Sequence, residues 1–144
     1  MTCVASATIE SFAEMDQSTV TIFVCVSCRR RLGDDDESFD QPGRGLAEAI
    51  EARLRGDGQA RLAVTAVDCL AVCKRPCTVA LSGADKWTYL IGDLDPDSHV
   101  GEIVAAAKSF AASQNGIVPW RERPASFRKG VIARVPPMSH KEQQ

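Results

Sequence analysis

The sequence predicts a mixed α/β domain: a βαβ unit, a β-hairpin laid beside it, and a C-terminal helix. Three observations carry that expectation. Two β-branched runs, residues 19–26 and 61–67, bracket a segment of helical period. A turn-forming Ser82-Gly83-Ala84-Asp85 separates two further short strand-like runs, and an apolar stripe of helical spacing follows Asp95-Pro96.

Residues 1–18 show no sustained periodicity and read as a loosely ordered lead-in, which makes Cys3 an incidental thiol. In residues 19–26 (TVTIFVCV) Val20, Ile22, Val24 and Val26 alternate with Phe23 and Cys25. That is the pattern of a first core strand with Cys25 at its C-terminal end. Residues 29–42 are polar and read as a loop, with Asp34-Asp35-Asp36-Glu37 as a solvated turn. Over residues 43–55 the apolar Leu46, Ala49, Ile50 and Leu54 recur at helical spacing, and Gly56-Asp57-Gly58 supplies the stop. Residues 61–67 (RLAVTAV) carry apolar side chains on both faces, as a buried parallel strand does. Residues 78–82 and 86–91 form the antiparallel hairpin. Asp95 and Pro96 suit the N-cap and first position of a helix whose face is Val100, Ile103, Val104, Ala107, Phe110 and Ala111, with Asn115-Gly116 as its stop.

Residues 119–144 hold Arg121, Arg123, Arg128, Lys129, Arg134 and Lys141 against Glu122 and Glu142, a local charge of +4 beside −6 for the remainder. With Pro124, Pro136 and Pro137 they read as a basic extended tail. The ordered domain is thus expected over residues 19–118.

Composition then narrows the function. A chain of 144 residues, 44% hydrophobic and 25% charged, fits one ordinary domain. No window approaches the roughly 18 to 20 apolar residues of a membrane span. Residues 1–18 lack the basic start and apolar stretch of a signal peptide, so a cytoplasmic location and no membrane partner are expected. A net charge of −2 gives no general attraction to nucleic acid. Trp120 and Phe127 are the only aromatics among the tail cations, so an acidic partner protein suits that segment better than nucleic acid. Gly43-Arg44-Gly45 lacks the rest of a dinucleotide fingerprint. His99 and His140, the only histidines, read as neither ligand nor base. A conventional hydrolase or dehydrogenase is disfavoured on these grounds.

The informative feature is the cysteine distribution. Five of six cysteines form two groups, Cys25-Val-Ser-Cys28 and Cys69-Leu-Ala-Val-Cys73-Lys-Arg-Pro-Cys77, with 40 residues between them. In a reducing compartment such spacing points to metal binding or redox chemistry before disulfides. In a βαβ unit the two parallel strands end at the same edge of the sheet, so the groups that follow them meet there. Four thiolates suit tetrahedral zinc or an iron–sulfur cluster and argue against magnesium or calcium.

At residues 69–81 (CLAVCKRPCTVAL) the sequence resembles the second half of the ligand motif of thioredoxin-like [2Fe-2S] ferredoxins, the group that includes the small cluster-bearing subunit of respiratory NADH dehydrogenase. The resemblance covers roughly residues 19–113. It implies a thioredoxin-like ferredoxin fold, a [2Fe-2S] cluster held by Cys25, Cys28, Cys69 and Cys73, single-electron transfer to a redox partner protein, and a homodimer. Two departures stand out: the family separates its first two cysteines by a longer loop than Val26-Ser27, and Cys77 is extra. Cys77 reads as a buried core thiol, with replacement of Cys28 or service as a spare ligand as the alternative. More narrowly, CVSCRR, CLAVCKRPC and WRERPASFRKGVIARVPP (residues 120–137) resemble a bacterial family of small predicted metal-binding proteins associated with cobalamin-synthesis genes, which implies a role near cobalt or corrin metabolism.

Two rivals stay open on the residues alone. A zinc-binding or metal-handling module uses the same thiolates, although this chain has enough apolar strand and helix to fold without a structural metal. A thiol-disulfide oxidoreductase would use Cys25 and Cys28 with Arg29-Arg30-Arg31 nearby, but it leaves the facing cysteines unexplained and lacks a Trp-Cys-Gly-Pro-Cys core.

Overall fold

The alternation in TVTIFVC becomes strand β1, Val20–Cys25, with Val20, Ile22 and Val24 fully buried. The computed structural model describes residues 19–27, 30–31, 39–57, 61–72 and 75–141. Two short strands follow β1, β2 at Arg30–Arg31 and β3 at Phe39–Asp40, paired antiparallel. The polar stretch expected as loop therefore contains a small ladder, while its acidic run lies outside the described residues.

Helix α1 spans Pro42–Asp57 and buries Leu46, Ile50 and Leu54. Strand β4, Leu62–Val67, pairs parallel with β1, so the βαβ unit forms as the spacing predicts. Its position corrects one expectation: β4 lies at an edge, and only Leu62 is buried while Thr65 and Ala66 are exposed. The hairpin takes the other side of β1, which leaves β4 no second neighbour among the described residues. Small residues at 63 and 66 satisfy an edge as well as an interior.

Strands β5, Val79–Gly83, and β6, Thr88–Ile91, form that hairpin, with β5 antiparallel to β1. Helix α2, Val100–Ala112, buries Ile103, Val104, Ala106, Ala107 and Phe110. It starts four residues later than the Asp95-Pro96 signal predicts, because Asp95 serves a turn of its own. The Asp95 carboxylate accepts the Asp97 N–H at 2.9 Å, and the Asp95 N–H donates to His99 Nδ1 at 2.9 Å. His99 becomes the cap residue.

The largest correction concerns residues 119–144. After a 3₁₀ turn at Trp120–Glu122 and a one-turn helix α3 at Ser126–Lys129, strand β7, Val131–Val135, completes the sheet in the order β4-β1-β5-β6-β7. Residues 119–135 are part of the domain and not an extended tail. Phe127 and Val118 join the core, and the Tyr89 hydroxyl accepts the Val118 N–H at 3.2 Å and an Arg123 N–H at 3.3 Å. Charge and proline content masked a strand that needs only one apolar contact row to pair at an edge.

Both main helices contribute to one core with Val20, Ile22, Val24, Val79, Leu81, Tyr89 and Ile91. At about 1.5 to 3 kcal/mol per fully buried large side chain, this layer is the main stabilising term. Among the described residues no helix is long and apolar enough to cross a membrane.

Candidate metal centre

Strand direction decides where the cysteines fall. In parallel register Cys25 stands opposite Val67, so the chain leaves β1 and β4 side by side at one edge of the sheet. The Val26 N–H donates to the Val67 carbonyl at 3.0 Å, extending the ladder one step past β1. Cys25 is buried, and its Sγ lies 4.0 Å from the carbonyl oxygen of Asp68, the residue before Cys69. The Ser27 hydroxyl donates to the same carbonyl. The first residue of each cysteine group is thus drawn to one locus across more than 40 positions of sequence.

The backbone around Cys25 is held on a third side. Its N–H donates to the Thr78 carbonyl at 3.0 Å, and the buried Thr78 hydroxyl donates to the Arg75 carbonyl at 3.0 Å. Helix α1 presses from its first turn: a Cβ on Gly43 would stand 2.9 Å from Val26 Cα and overlap the Cys25 carbonyl oxygen. Only glycine permits that approach.

Cys69 is exposed, and its sulfur accepts the Ala71 N–H at 3.1 Å. Ala71 sits at φ 61°, the left-handed region that a non-glycine residue seldom occupies outside functional turns. The bond fixes the direction in which the Cys69 sulfur faces. The same loop is tied to the β6–α2 connection: the Asp93 N–H donates to the Arg75 carbonyl at 3.1 Å, Arg75 Nε pairs with the Asp93 carboxylate at 2.7 Å, and Cys77 and Leu94 exchange two backbone bonds at 3.1 Å.

Cys77 belongs to the hydrophobic core cluster and Cys25 does not. Because Val79 is paired with Val24 and both are core residues, Cys77, two residues earlier, falls with them on the helix-covered face. Cys28 and Cys73 lie outside the described residues. Among the described residues no three His, Cys, Asp or Glu side chains converge as a metal site. His99 is engaged through Nδ1, which places its proton on Nε2, 3.9 Å from a Glu102 carboxylate oxygen. His140 stacks edge-on to Trp87 with ring centroids 5.3 Å apart.

Comparison with known families places the chain. The profile of a family described as a protein of unknown function, DUF1636, matches residues 22–137, which runs from β1 past β7. The chain belongs to the DUF1636 family. Among curated proteins there is no sequence match. The DUF1636 chain is similar in structure to a thioredoxin-like [2Fe-2S] ferredoxin from Aquifex aeolicus, with a TM-score of 0.54 and 21% identity over 85% of this chain and 98% of that one. A crystal structure of the wild-type thioredoxin-like [2Fe-2S] ferredoxin from Aquifex aeolicus gives a TM-score of 0.51 and 20% identity over 80% of this chain and 97% of that one. At this identity the likeness establishes the fold: this DUF1636 domain has the thioredoxin-like ferredoxin fold that the cysteine-bearing segment resembles.

Sequence reasoning missed two features of the site's surroundings. The Ala71 N–H on Cys69 Sγ depends on a backbone conformation that alanine does not advertise. The Arg75–Asp93 clamp joins residues 18 apart that nothing in the pattern pairs.

Proposed function

We propose that this protein is a single-electron carrier that binds one [2Fe-2S] cluster through Cys25, Cys28, Cys69 and Cys73. The observation that carries the reading is the convergence of Cys25 and Cys69 at one sheet edge of a thioredoxin-like ferredoxin fold, with Cys25 Sγ 4.0 Å from the Asp68 carbonyl. Cys28 and Cys73 complete the set by their spacing from those two. A cluster so held supplies a one-electron couple. The protein's own contribution is rigid placement: Thr78 and Gly43 fix the Cys25 backbone, and the Ala71 N–H holds the Cys69 sulfur in position.

The burial difference between the two cysteines supports the same reading. Cys25 anchors the site in the interior and Cys69 reaches solvent, so electrons would exchange with a partner on the Cys69 side. The link to cobalt or corrin metabolism enters this proposal through resemblance alone and indicates where a redox partner should be sought.

The test is a visible spectrum with iron, sulfide and zinc analysis of protein purified anaerobically without a metal-affinity column. About two irons and two sulfides per chain with visible absorption are expected. Colourless protein carrying about one zinc would overturn the proposal in favour of a structural or metal-handling site. Metal-free protein whose Cys25 and Cys28 cycle with thioredoxin reductase would overturn it in favour of disulfide exchange.

A further inference from the structure

We infer that the exposed basic surface formed by Trp120, Arg121, Arg128 and Lys129 is the docking site for an acidic redox partner protein, beside the cysteine edge. The inference rests on the electron-carrier reading for its purpose, and on the geometry of the C-terminal segment for its location.

Trp120 is 58% exposed, an unusual position for the largest apolar side chain. It is held and not loose: the Arg128 Nε donates to its carbonyl at 3.1 Å, and the Arg123 and Arg128 guanidinium carbons lie 5.7 and 5.9 Å from its ring centroid. Arg128 also donates to the Arg121 carbonyl at 3.2 Å. These bonds fix guanidinium groups with neutral acceptors and so leave their charge uncompensated. Among the described residues no carboxylate lies within ion-pair distance of Arg121, Arg128 or Lys129. Glu102 of α2 accepts from the Ser126 N–H at 3.2 Å and the Ser126 hydroxyl at 3.3 Å, Asp93, which lines a cavity with Lys129, is paired with Arg75, and exposed Glu122 adjoins Arg121 in the chain. An aromatic anchor among preorganised arginines is the composition of an interface core.

Topology puts this surface where an electron carrier needs it. β7 runs antiparallel to β6, so α3 and Gly130 stand at the same edge as the ends of β1 and β4. The Gly92 N–H donates to the Gly130 carbonyl at 2.9 Å, and Gly92 in turn packs on Arg75 of the cysteine loop. Cys69 follows β4, which stands four strand spacings from β7, roughly 19 Å. A standard interface of about 800 Å² per partner is roughly 30 Å across, so a protein seated on Trp120 and Lys129 also covers the Cys69 loop. A net-negative chain with this positive corner orients an acidic partner during encounter, which raises association rates and makes them sensitive to salt. The partner is a protein and not nucleic acid because one exposed aromatic ring offers no succession of stacking positions for bases.

The test is a titration of the ¹⁵N-labelled full chain with an acidic flavodoxin as probe, followed by nuclear magnetic resonance at low and high salt. The expected result is salt-dependent shifts of the Trp120 indole and of amides 120–130, with the Trp87 indole unmoved. The double change Arg121→Glu with Lys129→Glu should weaken binding about tenfold at low salt. The double change Arg55→Glu with Arg61→Glu alters net charge equally and should leave it within about twofold. Equal loss in both variants, absence of shifts, or shifts produced by a uridine oligonucleotide or anionic vesicles in place of flavodoxin would each overturn the inference. The titration reads binding whatever metal the protein carries, so a colourless protein that binds flavodoxin sinks the electron-carrier reading and leaves the docking site standing.

Discussion

Gly43→Ala and Gly45→Ala are chemically the same change, two residues apart in the first turn of α1, and the structure predicts opposite signs. At Gly43 the new methyl group would overlap the Cys25 carbonyl oxygen and stand 2.9 Å from both the Cys25 carbonyl carbon and Val26 Cα. These are backbone atoms inside the β1–β4 ladder, so no side-chain rotation relieves the overlap. Overpacking costs about 1 to 3 kcal/mol, and here the upper part of that range applies. Alanine returns up to about 1 kcal/mol of helix propensity, for a net loss of about 2 kcal/mol. At Gly45 nothing lies within 4 Å of the added carbon, and the position is exposed. Only the propensity gain remains, so Gly45→Ala should stabilise by about 0.5 to 1 kcal/mol. Urea unfolding followed by far-ultraviolet circular dichroism, with linear extrapolation, measures both. Gly43→Ala should also lower the melting temperature by about 4 to 8 °C and alter the visible spectrum of the loaded protein, since the methyl displaces the backbone that carries Cys25. Two stabilised variants, or two equally destabilised ones, would refute the claim that α1 is seated directly on the Cys25–Val26 backbone.

Three further outcomes follow from the same geometry. Cys69→Ser should remove the visible absorption with little change in folding, whereas Cys77→Ala should keep it and lose about 1 to 2 kcal/mol of stability, because Cys77 is a fully buried core residue; loss of colour in Cys77→Ala would reassign it as a ligand. Tyr89→Phe should cost about 1 to 2 kcal/mol in urea unfolding, since it leaves the buried Val118 N–H without its acceptor and releases Arg123; a neutral result would mean water replaces the hydroxyl. Lys86 Nζ donates to the Ala111 and Ser113 carbonyls at the end of α2, and burial holds its pKa below 10.5. The unfolded chain therefore binds more protons just below pH 10.5, and the folded state gains stability as pH rises through that window. Lys86→Met should flatten this alkaline slope, and a variant slope as steep as the original would contradict the assignment.

Much of the fold was legible because its signals are local. The alternation of Val20, Ile22 and Val24, the helical spacing of Leu46, Ile50 and Leu54, and the Gly83–Asp85 turn each state their own element, and the strand–helix–strand order then dictates a parallel pair. The edge position of β4 was not legible. A strand of small and β-branched residues looks the same beside one neighbour or two, and the choice lies in which side of β1 the hairpin takes. The start of α2 was misplaced for a different reason: Asp95-Pro96 is a sound local start signal, but Asp95 spends its carboxylate on the Asp97 N–H in a separate turn, and the helix begins after His99.

For the centre itself, sequence by itself determined the donor chemistry. Sulfur ligands in two close groups, few histidines and no phosphate loop define a soft-metal or redox site wherever the chain folds. Tertiary structure decided the rest. Parallel register sets Cys25 opposite Val67, two residues before Cys69, and strand alternation sends Cys77 to the opposite, helix-covered face. The pairing of β6 with β7 turns what reads as a charged tail into a sheet edge whose entry, α3 and Gly130, stands on the cysteine side. Each of these depends on contacts between residues far apart in the chain, and a one-dimensional pattern records what a side chain can do but not which distant backbone will stand beside it.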